Sequence, residues 1–436
     1  MACVIGAPSS GCGKTLVSLI LSSWARYTGQ TIQTFKVGPD YLDPQQLSTI
    51  SKNPCRNLDL VLYGHKWVKS SFYYHAEKTD LSLVEGAMGL FDGLGSTSIG
   101  STAEISKCLN LPIVLVVNAR GQAASLAPLI KGFRNEDPKL KIAGVILNNV
   151  KTDRHKNLLK EVLESINVKM LGCLPSSLAM QLPEKNLGLA PSHEIHNLQE
   201  RADKWTLLAK ENLDLIRLKE LLVSPEKHES SYNYYEINNY DSKSKCAIAV
   251  ADDKAFHFSY PETEECLNKL GFNIIKWRPL NDEALPKEAK GIILPGGFPE
   301  QHAHELSNCK RSIQSLKDSF MKLPIYAECG GMLLLGQEIY DVNGLPHKMA
   351  GLLPFKAKEG RLKVGYRRMR AINNGLILNC NEKISGHEFH RWELLAKTIP
   401  NKSDCNINIP WEVKGWEGKS IKEGWGNDFL HASWIH

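Results

Sequence analysis

The chain has 436 residues, which at about 150 residues per domain predicts two or three domains. Apolar residues make up 42% of the chain and charged residues 23%, a balance that supports packed cores and excludes a disordered or collagen-like protein. The formal net charge of +6 is too small to indicate nucleic-acid binding, although it suits an acidic small molecule.

Cysteine usage and hydropathy indicate where the protein works. The cysteines are scattered without a C-x-x-C pair, which argues against a disulfide framework or a zinc site and favours a reducing compartment. The longest apolar runs, such as 111–117, have the length of a strand, far below the roughly 20 residues that cross a bilayer. The amino terminus begins almost directly in a predicted strand, which leaves no room for a signal peptide. We therefore expect a soluble cytoplasmic protein with no membrane and no nucleic acid among its partners.

The first half of the chain alternates short apolar runs with helical stretches. The runs are continuous rather than alternating, as in parallel strands that are covered on both faces. This order predicts a doubly wound α/β domain with a parallel sheet. The predicted strands are 2–6, 31–37, 81–84, 113–117 and 143–147, and two of the predicted helices are 15–27 and 125–134.

The composition changes after residue 223. Residues 224–244 are rich in Ser, Asn, Tyr, Glu and Lys and show no apolar periodicity, which is typical of a linker. A second α/β pattern follows, so the sequence predicts two α/β domains, 1–223 and 245–436. The predicted strands of the second domain are 246–251, 274–277, 291–294 and 323–327.

The first predicted strand runs into a glycine-containing loop and then into a helix. Such a loop lets backbone N–H groups converge on a phosphate, and the alternative is an ordinary glycine-rich turn. Lys14 would reach the terminal phosphates of ATP, and the hydroxyl of Thr15 would bind Mg²⁺. Pro8 stands where the strict phosphate-loop motif has Gly, so the loop is instead similar to that of the dethiobiotin synthetases. The predicted ATP-binding residues of the loop are Ser10, Gly11, Cys12, Gly13, Lys14 and Thr15.

Carboxylates follow the predicted strands at their carboxyl ends, where ligands bind in such sheets. A carboxylate beside a phosphate loop can hold Mg²⁺ directly or through water, whereas any single Asp can equally cap a turn. Asn148 and Asn149 follow the strand at 143–147, where nucleotide bases are often contacted, and Asn149 is the predicted ATP-binding residue; surface asparagines are the alternative. The predicted metal-binding residues are Thr15, Asp40 and Glu85, and the further carboxylates of this edge are Asp43, Asp59 and Asp92.

The second predicted domain contains a strand, a sharp turn and a helix at 323–334, with Cys329 at the turn. This is the geometry of a nucleophile elbow, whose helix N-terminus is expected to lower the pKa of the thiol. Upstream, Gly296 and Gly297 could present backbone N–H groups as an oxyanion hole. A buried structural cysteine is the alternative. A thiol nucleophile also needs a base, and the candidates are His387, His390 and His431.

These motifs, taken together and in order, resemble those of the cobyrinic acid a,c-diamide synthases, the glutamine-dependent ligases of cobalamin biosynthesis. The resemblance runs nearly end to end. It implies an ATP domain like that of dethiobiotin synthetase, followed by a class I-type glutamine amidotransferase domain. The segments that carry it are 10–15, 36–44, 85–93, 182–189, 248–261, 294–303, 327–331, 386–390 and 430–431.

The resemblance also implies roles for individual residues. Cys329 matches the glutaminase nucleophile, and His431 matches the residue that raises its nucleophilicity. Ser433 stands where classical class I enzymes carry a glutamate, so the third member of the triad is missing. Lys185 and Asn186 replace a commoner Arg-His pair. The residues that match positions lining the Mg-ATP and corrinoid site are Asp40, Leu42, Asp43, Glu85 and Asp92.

The reaction that this resemblance implies uses both domains. Glutamine yields ammonia at the thiol, ATP with Mg²⁺ phosphorylates an acetate side chain of cobyrinic acid, and ammonia captures the acyl phosphate. Glutamine, ATP and cobyrinic acid are thus the expected small-molecule partners, and a homodimer is left open. One alternative is the same chemistry on hydrogenobyrinic acid or a nickel tetrapyrrole precursor, and another is a cobyric acid synthase. A nucleotide-switched binding protein is the alternative from another class, but a switch needs no thiol nucleophile.

Overall fold

The structure is a computed structural model. The chain forms two compact units, Met1–Glu236 and Ile237–His436. Most of the predicted linker lies outside the described residues, because only 224–226 and 228–229 of it are described. Residues 182–183 and 186–187 of the 182–189 segment, among them Asn186, also lie outside the described residues. The described residues are 2–176, 184–185, 188–189, 194–195, 197–226, 228–229, 246–395, 407–415 and 418–436.

The first unit contains a parallel sheet with helices in the connections between its strands. The strands are β1 (Cys3–Gly6), β2 (Ile32–Val37), β3 (Arg56–Leu58), β4 (Leu81–Glu85), β5 (Ile113–Asn118), β6 (Ile142–Val150) and β7 (Met170–Pro175), and a short pair follows, β8 (Glu184–Lys185) and β9 (Gly188–Leu189). The helices are α1 (Lys14–Tyr27), α2 (Leu42–Ser51), α3 (Gly64–Ala76), α4 (Thr102–Leu109), α5 (Leu126–Glu136), α6 (Asp153–Ser165), α7 (Leu198–Asn212) and α8 (Leu215–Leu222).

The seven main strands lie in the order β3-β2-β4-β1-β5-β6-β7, and all their pairings are parallel. Successive residues of β1 point to opposite faces, since Val4 joins one apolar cluster while Cys3 and Ile5 join another. Burial on both faces explains the continuous apolar runs of the sequence. The predicted parallel sheet is confirmed, and its carboxyl edge brings the loops after β1, β2 and β4 together.

The second unit contains two sheets. Its strands are β10 (Ala247–Ala251), β11 (Asn273–Trp277), β12 (Ala289–Leu294), β13 (Ile325–Glu328), β14 (Glu338–Tyr340), β15 (Pro346–Lys348), β16 (Lys356–Ala371), β17 (Lys383–Leu395), β18 (Trp411–Lys414), β19 (Ser420–Glu423), β20 (Trp425–Gly426) and β21 (Leu430–Ser433). Its helices are α9 (Pro261–Lys269), α10 (Ala303–Asn308), α11 (Lys310–Ser319) and α12 (Gly330–Leu335), with 3₁₀ turns at Pro279–Asn281 and Pro299–His302.

One sheet of the second unit carries the elbow. Its order is β11-β10-β12-β13-β21-β20, parallel except for the last pair. The other sheet, β15-β14-β16-β18-β19 with β17 on β16, is mainly antiparallel. The apolar pattern of the sequence does not reveal this second sheet, because most of β16 is exposed or half-buried and only its last residues, from Arg368 to Ala371, alternate exposed cations with buried apolar side chains.

Within the residues that the structure describes, no helix combines the length and the apolar character that crossing a bilayer requires.

Candidate functional site

The glycine loop after β1 adopts a backbone that only glycine accommodates easily. Gly13, the residue before α1, has a φ of 104°, and Gly11 has a φ of 76°. A Cβ on Gly13 would lie 2.3 Å from the side-chain amide of Asn148, which itself donates a 3.0 Å hydrogen bond to the carbonyl of Cys12. No side chain caps the N-terminus of α1, so its N–H groups remain available to an anion.

The two asparagines after β6 have different neighbours. The predicted residue, Asn149, has a φ of 61° and donates to the side chain of Asn118 at 3.1 Å. Asn148, which the sequence analysis did not choose, is the one that touches the loop. A role for Asn149 in binding the nucleotide stays a prediction.

Lys14 reaches back over the loop. Its ammonium donates to the carbonyl oxygens of Met88, at 2.5 Å, and Ser9, at 3.4 Å. Burial and the neighbouring ammonium of Lys36 lower its pKa, although nearby carboxylates oppose this. An ammonium held only by neutral carbonyl oxygens is free to exchange them for phosphate oxygens.

Four of the predicted residues meet around a lysine that the sequence analysis did not identify. The ammonium of Lys36 contacts the carboxylate of Asp43 and lies 2.7 Å from Glu85 and 3.8 Å from Asp40. The hydroxyl of Thr15 donates to Glu85 at 2.7 Å. The signal for Lys36 was a lysine between Phe35 and Val37 in a predicted buried strand, since such a charge is buried only with partners.

The charges of this cluster are strongly coupled. Burial, followed by the charge of Asp43, raises the pKa of Asp40 to about 7. Burial also raises the pKa of Glu85, although Lys36 opposes the shift. The pKa of Asp43 shifts the other way. Burial favours the neutral acid there too, but the charge and the hydrogen bond of Lys36 outweigh burial and lower the pKa of Asp43. The carboxylates are therefore sensitive to any further cation at this edge.

The donor set fits a Mg²⁺ ion that is also bound by phosphate. Glu85 Oε2 is buried and has no hydrogen-bond partner in the described structure, and the hydroxyl of Thr15 lies on the other oxygen of the same carboxylate. No group of three or more His, Cys, Asp or Glu side chains among the described residues forms a metal cluster. A Mg²⁺ ion here would thus rely on one or two protein oxygens, phosphate and water, which is its usual choice.

The remaining predicted residues of this edge have structural contacts. Asp59 accepts backbone N–H bonds from Val61 and Leu62 at 2.8 and 2.9 Å, and Asp92 accepts one from Gly89 at 2.8 Å. Both are turn caps. Leu42 is buried at the start of α2, and its N–H donates to Asp40 at 2.9 Å. Contacts of these residues with a substrate stay predictions.

In the second unit, Cys329 forms a strained turn between β13 and α12. Its φ is 45°, which is unusual for a residue with a side chain. A Cβ on Gly331 would lie 2.1 Å from the carbonyl oxygen of Leu294, so only glycine allows this approach. Gly296 lies beside the nucleophile, since a Cβ placed on it would be 3.7 Å from Cys329 Cβ, and Gly297 has a φ of 158°. The predicted elbow and the glycine pair are thus neighbours.

The electrostatics of the thiol differ from the expectation. The Cys329 side chain is only 5% exposed. Burial, with further contributions from the carboxylates of Glu300, Glu328 and Glu388, raises the pKa of the thiol well above its usual range. The net shift is opposite to the expected lowering, because burial outweighs the hydrogen bond from the Gly330 N–H at the start of α12, which does lower the thiol pKa. Ionisation of the thiol therefore requires a base that takes its proton.

His431 lies one strand away from the elbow. It is opposite Tyr326 in the β13–β21 pair, and its ring lies 4.5 Å from that of Trp411. Burial lowers its pKa to about 4, and its Nε2 is buried without a partner in the described structure. The N–H of Cys329 bonds to the carbonyl of Ser433 at 2.7 Å, so His431 is two residues, roughly 7 Å, back along the strand. Its role as the base stays a prediction.

A fourth histidine, His436, lies on the elbow side of Ser433. Its backbone exchanges two hydrogen bonds with His387, at 2.6 and 3.0 Å, and the two rings are 5.5 Å apart. Burial lowers the pKa of His436 to about 3 and that of His387 to about 4, so both rings are neutral at pH 7. The sequence carries no local signal for His436, because only the register of β13 and β21 brings 434–436 beside the elbow.

His390 differs from these rings. One of its nitrogens faces the carbonyl of Trp392 at 2.6 Å, and the other faces the carboxylate of Glu388 at 2.7 Å. Both ring nitrogens are therefore engaged by oxygen acceptors, which leaves neither of them free to take the thiol proton. His390 is thus unsuited to be the base.

Comparison with known proteins gave matches over nearly the whole chain. The family model of the CobQ/CobB/MinD/ParA nucleotide binding domain matches residues 3–189, and that of the CobB/CobQ-like glutamine amidotransferase domain matches residues 247–436. The cobyrinate a,c-diamide synthase of Synechococcus sp. is 37% identical, with 100% of this chain and 94% of the relative covered. That of Caldanaerobacter subterraneus is 36% identical, covering 99% and 94%. The hydrogenobyrinate a,c-diamide synthase of Mycobacterium tuberculosis is 33% identical, covering 100% and 94%.

Proposed function

The chain belongs to the cobyrinate a,c-diamide synthase family of glutamine-dependent ligases, and on that basis we propose that it amidates the a and c acetate carboxylates of cobyrinic acid. The observation that carries the proposal is the pairing, in one chain, of a phosphate loop with a cysteine elbow. Amide formation from a carboxylate needs activation by ATP, and glutamine supplies nitrogen only where a nucleophile opens its amide.

In the first unit, the chain's own groups would bind and neutralise the phosphates. The N–H groups at the start of α1 and the ammonium of Lys14 would hold the terminal phosphates of ATP. Thr15 and Glu85, with Asp40, are the residues that would hold Mg²⁺, which supplies charge neutralisation to phosphoryl transfer. Lys36 would stabilise the charge that develops on the transferred phosphoryl group or on the substrate carboxylate. The product of this half-reaction would be an acyl phosphate on an acetate side chain.

In the second unit, the thiol of Cys329 would attack the side-chain amide of glutamine. The oxyanion would be stabilised by backbone N–H groups next to the elbow, with Gly296 and Gly297 as the predicted donors. A neutral histidine would take the thiol proton and pass it to the departing ammonia, which leaves a thioester that water hydrolyses. His431 is the base that the resemblance implies, and His436 is the one that the register with Cys329 favours.

Several finer statements belong to the same proposal. The domains would span 1–223 and 245–436, with a linker at 224–244, and the enzyme would work in the cytoplasm. Asn149, Asp43, Asp59, Asp92 and Leu42 would line the nucleotide and corrinoid site. A homodimer remains open, and membranes and nucleic acids are not expected partners.

Product masses test the function directly. The protein is incubated with ATP, Mg²⁺ and glutamine together with cobyrinic acid, hydrogenobyrinic acid or a nickel tetrapyrrole acid. We expect cobyrinic acid to gain two amides, each replacing a hydroxyl by an amino group, and this gain to require both ATP and a nitrogen donor. ATP turnover without any amide product on the panel would contradict the proposal.

Hydrogenobyrinic acid is the second candidate substrate. The observation in its favour is that relatives of this chain at 33% identity are named hydrogenobyrinate a,c-diamide synthases. The two substrates differ in the central cobalt, and the same panel decides between them by the relative kcat/KM values.

A further inference from the structure

A buried set of three charged side chains lies on β16 and β17. Glu388 accepts a 2.6 Å hydrogen bond from Arg367 Nε on one oxygen and a 2.7 Å bond from His390 Nε2 on the other. The side chains of Glu388, Arg367 and His390 are 8, 13 and 3% exposed, respectively. Burial favours the neutral acid, but the two cations outweigh it and lower the pKa of Glu388 to about 2. The carboxylate is therefore ionised.

This triad is joined to the segment 434–436 at two points. The ring of His390 stacks on that of Trp434, with centroids 3.8 Å apart and planes at 6°. At the other end of the segment, the backbones of His387 and His436 exchange their two hydrogen bonds. Both contacts come from β17, the strand that carries Glu388.

The same stretch of β17 also approaches the nucleophile. The carbonyl oxygen of Phe389 lies 4.0 Å from Cys329 Sγ. The titratable groups that shift the pKa of the thiol are Glu300, Glu328 and Glu388, and those that shift the pKa of His436 are His387, His390 and Glu388. Glu388 is thus the one carboxylate, among the described residues, that acts on both.

Stability alone is a weak reason to bury such a triad. Taking ions out of water costs several kcal/mol each, and buried ion pairs replaced together by apolar residues often leave proteins as stable or more so. The position of an acidic triad member is also vacant in the sequence, because Ser433 stands where a glutamate would follow His431 by two residues.

We propose that Glu388 is a positioning residue of the glutaminase, an inference that rests on the proposed function. By holding Arg367 and His390 it fixes β17 against the segment 434–436, and it thereby keeps the imidazole of His436 in place to accept the Cys329 proton. The S–H bond breaks as the sulfur bonds to the amide carbon, and the proton moves to a ring nitrogen of His436. Glu388 makes no contact with glutamine in this account.

The test is Glu388→Gln in the full-length chain, measured by steady-state hydrolysis of glutamine. The amide keeps the size of the side chain but removes the charge. We expect kcat to fall by about 10- to 100-fold, because small misplacements of a reacting group cost this much, while KM changes by less than about threefold. The acidic limb of the kcat/KM profile should move to lower pH, since the lost carboxylate favours the protonated form of His436.

A matched control is Glu412→Gln, which breaks an ion pair with Arg370 on the same sheet at 2.9 Å. It should leave glutamine hydrolysis unchanged. Ammonia-dependent synthesis should be unchanged in both variants. A wild-type kcat and pH profile in Glu388→Gln would overturn the inference, as would a parallel loss of ammonia-dependent synthesis. A wild-type protein that hydrolyses no glutamine would instead refute the proposed function.

A second variant decides the matter if Glu388→Gln does not fold. Arg367→Lys keeps the positive charge but cannot reproduce the bonds of Arg367 Nε to Glu388 and Nη1 to the Tyr366 carbonyl. We expect a fall in kcat in the same direction, with KM and ammonia-dependent synthesis retained. An unchanged kcat would overturn the inference.

Discussion

The hydroxyl of Thr15 donates a 2.7 Å hydrogen bond to the carboxylate of Glu85, so the phosphate loop and the end of β4 meet at one side chain. The other oxygen of Glu85 has no partner in the described structure, and the ammonium of Lys36 lies against the bonded one. A carboxylate that is buried, ionisable and half satisfied is poised to bind one more cation.

Glu85→Gln should abolish most synthesis with either nitrogen donor. The amide cannot neutralise a cation, and the loss of a carboxylate beside Mg²⁺ costs several kcal/mol, or about 100-fold in rate. Synthesis is measured by product mass with glutamine and with ammonium chloride, over a range of Mg²⁺ concentrations. Asp137→Asn, which removes a carboxylate of the same unit at a turn and beside Lys107, is the control that should stay active. Full activity of Glu85→Gln at raised Mg²⁺ would assign the residue to structure alone.

Lys14→Ala should end synthesis while sparing glutamine hydrolysis. The variant removes the one loop cation that now binds only carbonyl oxygens. ATP consumption and product mass are measured for synthesis, and glutamate release is measured for the second unit. Normal ATP-dependent turnover would show that the loop at 10–15 does not bind the phosphates.

The sequence predicted this edge well for a physical reason. Continuous apolar runs become strands buried on both faces, and the carboxyl ends of parallel strands necessarily share an edge. Thr15, Asp40, Asp43 and Glu85 therefore met as expected. Lys36 was not predicted, because a strand pattern does not indicate which cationic side chain the carboxylates at this edge will contact.

The glutaminase was predicted less completely, because its arrangement depends on register. The elbow could be read from a strand, a turn and glycines, but the pairing of Ser433 with Glu328 could not. That pairing decides which histidine lies near Cys329. The thiol pKa also depends on burial, which a local helix-terminus argument does not capture.

Glu328→Gln should remove a pH dependence of stability in the second unit. Burial raises the pKa of Glu328 to about 7 from the usual value of 4.5, although the Tyr326 hydroxyl bonds to it at 2.5 Å and opposes the shift. Between these values the unfolded chain has lost the proton that the folded chain keeps, so stability falls as pH rises from about 4.5 to 7. The variant has no such proton.

Melting midpoints at pH 5 and pH 8 measure this effect. The midpoint of the wild type should fall more between the two values than that of Glu328→Gln. Glu338→Gln, which removes a partly exposed carboxylate paired with Lys356, should follow the wild type. Equal pH dependence in all three proteins would mean that Glu328 is solvated in both states.

Cys329→Ala should end synthesis with glutamine but not with ammonia. No thioester can form without the sulfur, whereas the phosphate loop and its carboxylates are untouched. Product mass is compared with glutamine and with ammonium chloride at alkaline pH, where free ammonia is abundant. A variant that still uses glutamine would refute the nucleophile, and one that is inactive with both donors would show that the two half-reactions cannot be separated.

The histidine that serves Cys329 is identified by separate alanine variants at His431, His436 and His387. Replacing the true base by alanine removes the neutral imidazole that accepts the thiol proton. The rate of thiol attack on glutamine should then fall by about 100- to 10,000-fold, the usual contribution of general-base catalysis. The backbone bond from Cys329 to Ser433 brings 434–436 to the elbow, so we expect His436→Ala to lose the most glutamine hydrolysis. His431→Ala should lose less glutamine hydrolysis if its contacts with Tyr326 and Trp411 only support packing.

A second measurement follows the Cys329 thiol in the absence of glutamine. The rate of alkylation by iodoacetamide is measured for each variant between pH 6 and pH 10, and the alkylation of the other cysteines, measured in Cys329→Ala, is subtracted. Loss of hydrolysis confined to His431→Ala would restore the assignment that the resemblance implies.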